Sequence, residues 1–267
     1  MLAYPFMQHA FAAGSLVALL ASVTGWFMVL RRETFAGHTL SVMSFPGASG
    51  AALAGLPLAS GYFVFCALGG LAIAAGGRRG AEQQSAAIGI VGAAGFALGF
   101  LFLSLYGGVL ESLESLLFGS FLGITTDQVW TLAGIAAAVL AYFMLVGRPL
   151  LFGSVDELVA RTRGVPVRAL HTSFLVVLGL AVGATAQITG VLLVFALLVA
   201  PAAAAQRLTA RVPLALALSL AIALAVTWGG LTLAYYTDRP VGFFVATLSF
   251  ALYLAIRCLP KSSFATR

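Results

Sequence analysis

Apolar residues fill long stretches of this chain, and short polar segments separate them. Nine such stretches can be delimited, and most approach the ~20 residues that an α-helix needs to cross ~30 Å of hydrocarbon. They lie at about residues 9–30, 38–57, 60–76, 85–106, 128–146, 169–187, 190–206, 212–234 and 241–258. The pattern predicts an all-α, polytopic membrane protein with nine spans, and eight spans are the alternative.

Two places leave the count open. Residues 38–57 are rich in glycine and serine, which weakens them as a membrane span. Around Thr189, one long apolar region has to be divided by a turn if it is to form two spans.

Composition agrees with a membrane protein. The chain is 61% hydrophobic and 8% charged, whereas soluble domains are roughly 45–50% apolar. We therefore expect residues 1–267 to form a single transmembrane domain that crosses the cell (inner or plasma) membrane several times and contacts lipid.

The basic residues predict the orientation, because short cytoplasmic loops carry an excess of lysine and arginine. Thirteen of the fourteen basic residues fall on one side of the predicted spans, and Arg239 is the exception. This places the N-terminus outside and the C-terminus in the cytoplasm. The net charge of +6 is thereby explained without a nucleic-acid partner. No basic residue precedes Arg31, so we expect the first span to be retained rather than cleaved as a signal peptide.

The predicted spans are almost free of ionisable residues, which ion-coupled carriers usually keep inside their spans. If the protein transports actively, its energy therefore comes from elsewhere. The chain has no phosphate-binding loop of its own, because that motif needs a lysine after a glycine-rich turn and the only lysine is Lys261. The protein is not expected to be an enzyme, and a separate ATP-hydrolysing partner is the natural energy source.

Charge is concentrated at residues 152–168, "FGSVDELVARTRGVPVR". Ser154 and Glu157 have the spacing of a capping box, which predicts a short cytoplasmic helix over Val155–Arg163. The helix dipole is matched by acids at its start and bases at its end, and a glycine can close it before Pro166. This helix is suited to docking a partner, and the alternative is an ordinary solvated loop. The docking residues would be Ser154, Asp156, Glu157, Arg161, Arg163 and Gly164.

Five segments in order, from Tyr4 to about Gly242, give the chain a family resemblance. They are "YPFMQHAFAAGSLVALLASVTGWFMVLRRETFAGHTLS", "ESLESLLFGSFLGIT", "SVDELVA", "RGVPVRAL" and "ITGVLLVFALLVAPAAAAQRL". Together they resemble the membrane permease subunit of the zinc/manganese/iron class of ABC importers. The resemblance implies a type II ABC importer-like permease fold with about eight or nine transmembrane helices. It also implies a homodimer, two cytoplasmic ABC ATPase subunits and an external metal-binding protein.

The same resemblance assigns roles to two short segments. Residues at about 154–164 would be the coupling helix that receives ATPase motion. Residues at about 109–118 would form an outer gating segment, and three acids around it would raise the local cation concentration. These acids are Glu111, Glu114 and Asp127.

Members of that family commonly have Gly-Asp-Ala-(Leu/Ile)-Ser-His where this chain has Gly37-His38-Thr39-Leu40-Ser41-Val42. The acid is replaced by His38 and the histidine by Val42, so a metal site could keep one imidazole. His38 alone cannot complete a tetrahedral zinc shell, and it could instead be an interfacial histidine. The candidate translocation-path residues are His38, Ser41, Ser44, Pro46 and Pro201.

Two backbone features of this region also carry predictions. Gly47, Ala51 and Gly55 have the small-xxx-small spacing of closely packed membrane helices. Pro46 and Pro201 either break their helices towards a cavity or are tolerated kinks.

The sequence thus predicts import of a divalent transition metal as cargo, with no permanently bound cofactor. Imidazole suits zinc better than manganese, so zinc is favoured. Two alternatives stay open: a permease for a metal chelate or another small solute, and a membrane scaffold that transports nothing.

Overall fold

The structure, a computed structural model, describes residues 4–76, 81–106, 119, 123–237 and 239–258. In these ranges the chain forms helices joined by short connections, which confirms the all-α prediction for the described residues. The helices are α1 Pro5–Leu30, α2 Thr34–Leu53, α3 Leu58–Ala75, α4 Ala81–Tyr106, α5 Thr126–Val155, α6 Glu157–Thr162, α7 Val167–Thr189, α8 Val191–Leu208, α9 Val212–Thr237 and α10 Val241–Cys258.

All of these helices except α6 have at least 18 residues. One apolar core runs through them, with buried residues contributed by every long helix. The apolar region around Thr189 is divided as predicted, because α7 ends and α8 begins at Gly190. Gly190 has φ +78°, a conformation that other residues rarely adopt.

Judged by length and composition only, seven of the described helices are long and apolar enough to cross a membrane. The two long helices that do not qualify are α2 and α8. Most residues of α2 are buried against other helices of the same chain. A helix enclosed in this way does not need an apolar surface compatible with lipid, which explains why glycine and serine are tolerated there.

α2 packs against α3, α4, α7 and α8. Its contact with α3 is closest at Gly47 and Gly61, where a Cβ atom on either glycine would overlap the carbonyl group of the other. Ala51 also contacts this site, since its Cβ lies beside Gly61. The small-residue prediction is therefore confirmed for Gly47 and Ala51. It is wrong for Gly55, which lies beyond the end of α2 with open space around it.

Several arginines of different helices lie at one end of the bundle, which we call the basic end. Arg207 of α8 donates a hydrogen bond to the carbonyl oxygen of Arg257 in α10 at 2.9 Å. The neighbouring Gln206 donates to the carbonyl oxygen of Trp26 near the end of α1 at 2.8 Å. Arg31, which follows α1, contacts the end of α5 and the first turns of α7. The basic end matches the predicted charge asymmetry, and its cytoplasmic location stays a prediction.

Candidate functional site

Helix α6 lies at the basic end, between the long helices α5 and α7. Its N-cap is Asp156, whose carboxylate accepts a hydrogen bond from the amide of Val159 at 2.9 Å. Glu157 and Arg161 form an ion pair one turn apart, at 2.6 Å between carboxylate and guanidinium. Gly164, with φ +78°, closes the segment as predicted. A short capped helix therefore exists where the sequence placed the docking segment.

The predicted capping box is wrong. α5 continues to Val155, beyond the apolar run that the sequence suggested, so Ser154 is still inside that helix. Its hydroxyl donates to the carbonyl oxygen of Leu150 at 2.6 Å and does not cap α6. The helix is also shorter than predicted, with six residues, and Arg163 is its C-cap.

This segment exposes two large apolar side chains next to its charged ones. Val155 is 75% exposed and Leu158 is 76% exposed. Three of the charged side chains beside them, those of Asp156, Glu157 and Arg161, have partners inside the segment. One residue of α6, Ala160, is fully buried and anchors the helix on the bundle.

Beneath this segment lies a set of side chains that we call the buried ion cluster: Arg31, Glu33, Ser154 and His171. Arg31 pairs with Glu33 at 3.0 Å, and each of these side chains is only 4% exposed. The other guanidinium nitrogen of Arg31 donates to Ser154 Oγ at 3.0 Å. His171 Nδ1 lies 3.2 Å from both Arg31 and Glu33.

Phe174 completes the surroundings, because the guanidinium carbon of Arg31 lies 4.9 Å from its ring centroid. One carboxylate oxygen of Glu33, Oε2, is buried without a hydrogen-bond partner. His171 Nδ1 can accept from Arg31 or, when it carries a proton, donate to Glu33. Sequence reasoning missed this cluster, since its four residues come from three separate parts of the chain.

The candidate path residues on α2 have different environments. His38 is exposed, and its ring lies 5.0 Å from that of Phe195 in α8, edge to face. Ser41 and Ser44 are buried, and their hydroxyls donate to carbonyl oxygens of the same helix. Of the five candidate path residues, only His38 therefore lies on an exposed surface of the chain. Val42, at the position where the resemblance leads one to expect histidine, is also buried.

Pro46 and Pro201 are both buried inside continuous helices, α2 and α8. Neither proline ends its helix, so the prediction of helix breaks is wrong, and both prolines are accommodated inside continuous helices. Near Pro46, the hydroxyl of Ser49 donates to the carbonyl oxygen of Phe45 at 2.9 Å.

The outer gate is only partly described. Glu111, Glu114 and the predicted gating segment at 109–118 lie outside the described residues. Asp127 is exposed in the first turn of α5. That helix is capped by Thr125 and Gln128, which exchange hydrogen bonds of 3.3 and 3.0 Å. The role of these acids at a gate stays a prediction.

Among the described residues, no group of three or more histidine, cysteine, aspartate or glutamate side chains is arranged to hold a metal ion. His38 is thus a single candidate ligand, and a bound metal ion would need further ligands from outside the described residues or from water.

Comparisons with known proteins extend over nearly the whole chain. The "Manganese transport system membrane protein MntC" of Halalkalibacterium halodurans is 30% identical over 268 residues, covering 100% of this chain and 92% of the relative. The "Probable iron transport system membrane protein" of Haemophilus influenzae is 30% identical over 95% of this chain and 93% of the relative. In the structure titled "PsaBC from Streptococcus pneumoniae in complex with Fab", one chain is similar with a TM-score of 0.86 and 27% identity, covering 98% of this chain and 94% of that chain.

The sequence pattern that defines a family described as "ABC 3 transport family" matches residues 3–259. Together with the apolar helices, this match identifies a multi-pass protein of the cell membrane. The chain therefore belongs to the ABC 3 transport family and is a membrane permease of the metal ABC importer class.

Proposed function

We propose that this permease forms the translocation path of an ATP-driven importer for a divalent transition metal, with zinc favoured over manganese. It works as a homodimer with separate cytoplasmic ATPase subunits and an external metal-binding protein. The observation that carries the proposal is α6, a capped helix that exposes apolar side chains at the basic end of a chain without a nucleotide-binding motif.

The docking surface is made by apolar side chains rather than by the charges that the sequence suggested. Asp156 caps α6, and Glu157 is paired with Arg161. Val155 and Leu158 remain exposed beside them, and removing their apolar surface from water would favour association with a partner. A groove on an ATPase subunit would cover these two residues.

Replacing Leu158 by aspartate tests this surface. We expect the variant to reach the membrane at the normal level but to lose the ATPase subunit during co-purification, because a buried unpaired charge strongly disfavours association. The matched control is Tyr236→Asp, since Tyr236 is 73% exposed near the end of α9. Equal recovery of the ATPase with Leu158→Asp and the wild type would contradict the docking assignment.

The substrate path is proposed to include His38. Its imidazole is exposed on the protomer, and no complete metal site exists among the residues described. In a homodimer, a two-fold axis close to this face would bring a second His38 to the same path. A weak and incomplete ligand set suits a permeating ion, which has to leave again.

Zinc is favoured because imidazole is a good zinc ligand, whereas carboxylates suit manganese. The names of the relatives point to manganese and iron, so the choice of metal needs a direct test. In proteoliposomes that contain the complete transporter, we expect zinc uptake to exceed manganese uptake. His38→Asp should shift uptake towards manganese, and His38→Ala should slow zinc uptake.

The control for lost imidazole is His9→Ala, at the other end of α1 from the basic end. Unchanged zinc uptake with His38→Ala would mean that His38 is only an interfacial residue. Transport of a chelate in the absence of free-metal transport would overturn the proposed substrate. If no solute moves while ATP is hydrolysed, the protein is a scaffold.

A further inference from the structure

The buried ion cluster joins three parts of the chain that surround α6. Arg31 and Glu33 belong to the connection between α1 and α2. Ser154 is two residues before Asp156, the N-cap of α6, and His171 is nine residues after Thr162, the last residue of α6. Both flanks of α6 are therefore tied to the start of α2 by polar contacts.

The connection between α1 and α2 is tight. Arg32 has φ +59°, a left-handed conformation that non-glycine residues adopt infrequently. The amide of Glu33 donates to the carbonyl oxygen of Met28 at 3.0 Å, and Glu33 immediately precedes the first residue of α2. A force on the Glu33 side chain would thus act directly on the N-terminal end of α2.

α6 is also held firmly against the two helices that flank it. It packs against α5 and α7, and the amide of Val165 donates back to the carbonyl oxygen of Ala160 at 3.0 Å. A displacement of α6 would therefore move the end of α5, which carries Ser154, and the first turns of α7, which carry His171.

Hydrogen bonds and ion pairs suit this task because they fix direction as well as distance. Apolar side chains at the same place would hold the helices together but could slide past one another. Burying Arg31 and Glu33 is costly even when they are paired, so stability alone gives little reason for a charged cluster here.

We infer that Arg31, Glu33, Ser154 and His171 form a mechanical link that carries displacement of α6 to the start of α2, four residues before His38. They are positioning residues and do not contact the metal. This inference rests on the proposed function, in which an ATPase subunit moves α6.

The test uses the complete transporter in proteoliposomes and measures metal ions transported per ATP hydrolysed. Ser154→Ala removes the hydroxyl that accepts from Arg31 and leaves the ions in place. We expect the ratio to fall roughly threefold to tenfold, because one hydrogen bond contributes enough free energy to shift an equilibrium by that factor. ATPase binding and ATP hydrolysis should persist. Ser154→Thr, which restores a hydroxyl, should recover most of the ratio.

Ser173→Ala is the matched control. Ser173 Oγ and the hydroxyl of Tyr142 are 2.8 Å apart and bridge α7 and α5, like the cluster, but this bridge does not include the α1–α2 connection. We expect its loss to leave the ratio unchanged. Glu33→Gln, which keeps the shape of the side chain but removes its charge, should lower the ratio as Ser154→Ala does.

The outcomes separate the inference from the function on which it rests. If the wild-type complex transports metal but Ser154→Ala keeps the wild-type ratio, the link is overturned and the proposed function stands. A parallel loss of hydrolysis and transport at constant ratio also overturns it, because this is the effect of a structural defect. If the wild-type complex hydrolyses ATP without moving metal, the proposed function itself fails.

Discussion

Two groups of charged residues lie at the basic end, and they differ in their exposure to water. On α6, the side chains of Arg161 and Glu157 are 52% and 34% exposed. In the buried ion cluster, Arg31 and Glu33 are both 4% exposed. In the part of the chain that the structure describes, an arginine–glutamate pair thus occurs both in contact with water and inside the bundle.

The difference teaches that the number of charged residues in a segment is a poor guide to how much they contribute to the stability of this chain. An exposed pair one helical turn apart contributes about 0.3–0.5 kcal/mol. Breaking a buried pair by removing one partner costs about 3–5 kcal/mol, since it leaves an uncompensated charge. We therefore expect the charged pair of the densely charged segment to tolerate substitution, and the buried pair beneath it not to.

The largest effect is expected for Arg31→Ala. The change leaves the Glu33 carboxylate buried without its partner, and the midpoint of thermal unfolding in detergent should fall by on the order of 10 °C. Arg168→Ala is the control, because Arg168 is exposed on the first turn of α7. Adding Glu33→Gln to Arg31→Ala should recover part of the loss. Equal midpoints for Arg31→Ala and Arg168→Ala would contradict the expectation that a buried charge contributes more to stability than an exposed one.

An intermediate effect is expected for Asp156→Ala. The substitution removes the cap of α6, at a cost of ~1 kcal/mol. Hydrogen exchange of the first α6 amides should become roughly fivefold faster, while the global midpoint changes far less than with Arg31→Ala. Asp156→Asn, which can still cap, should exchange like the wild type. Unchanged exchange in the alanine variant would show that packing through Ala160 holds α6 by itself.

The smallest effect is expected for the exchange of Glu157 and Arg161, written E157R together with R161E. The ion pair is kept with reversed polarity, so stability should change by less than ~0.5 kcal/mol, with the loss arising from the helix dipole. The corresponding exchange of Arg31 and Glu33 should lower the midpoint of thermal unfolding by several degrees, because the contacts of Arg31 with Ser154 and His171 would be lost. Thermal unfolding of both double variants compares the two sites directly.

Hydrophobic pattern sufficed to predict the long helices, because membrane spans need apolar length and little else. Gly190 could also be anticipated as the division between α7 and α8, since a turn was needed near Thr189. α2 was harder to judge. Its glycines and serines weaken the apolar signal, and only the packing by four neighbouring helices shows why they are tolerated.

The site was less predictable for physical reasons. Ser154 and Glu157 have capping-box spacing, yet α5 continues through Ser154 and Asp156 caps α6 instead. Local spacing does not reveal where the preceding helix ends. The buried ion cluster was missed because its partners come from residues up to 140 positions apart. Glu33, which directly follows Arg31 and Arg32 in the sequence, was the one signal of an ion pair here. Its burial, however, depends on tertiary packing alone.

The contact between Gly47 and Gly61 has a consequence for how α2 can move. Because no side chain lies between the two backbones, α2 has little freedom to move sideways relative to α3 at this contact. The motion that remains is a tilt of α2 about the contact. Glu33 is 14 residues before Gly47 and His38 is nine, which correspond to about 21 Å and about 14 Å of helix. The contact would then serve as the fulcrum of a lever, and a displacement introduced at Glu33 would arrive at His38 reduced by about one third.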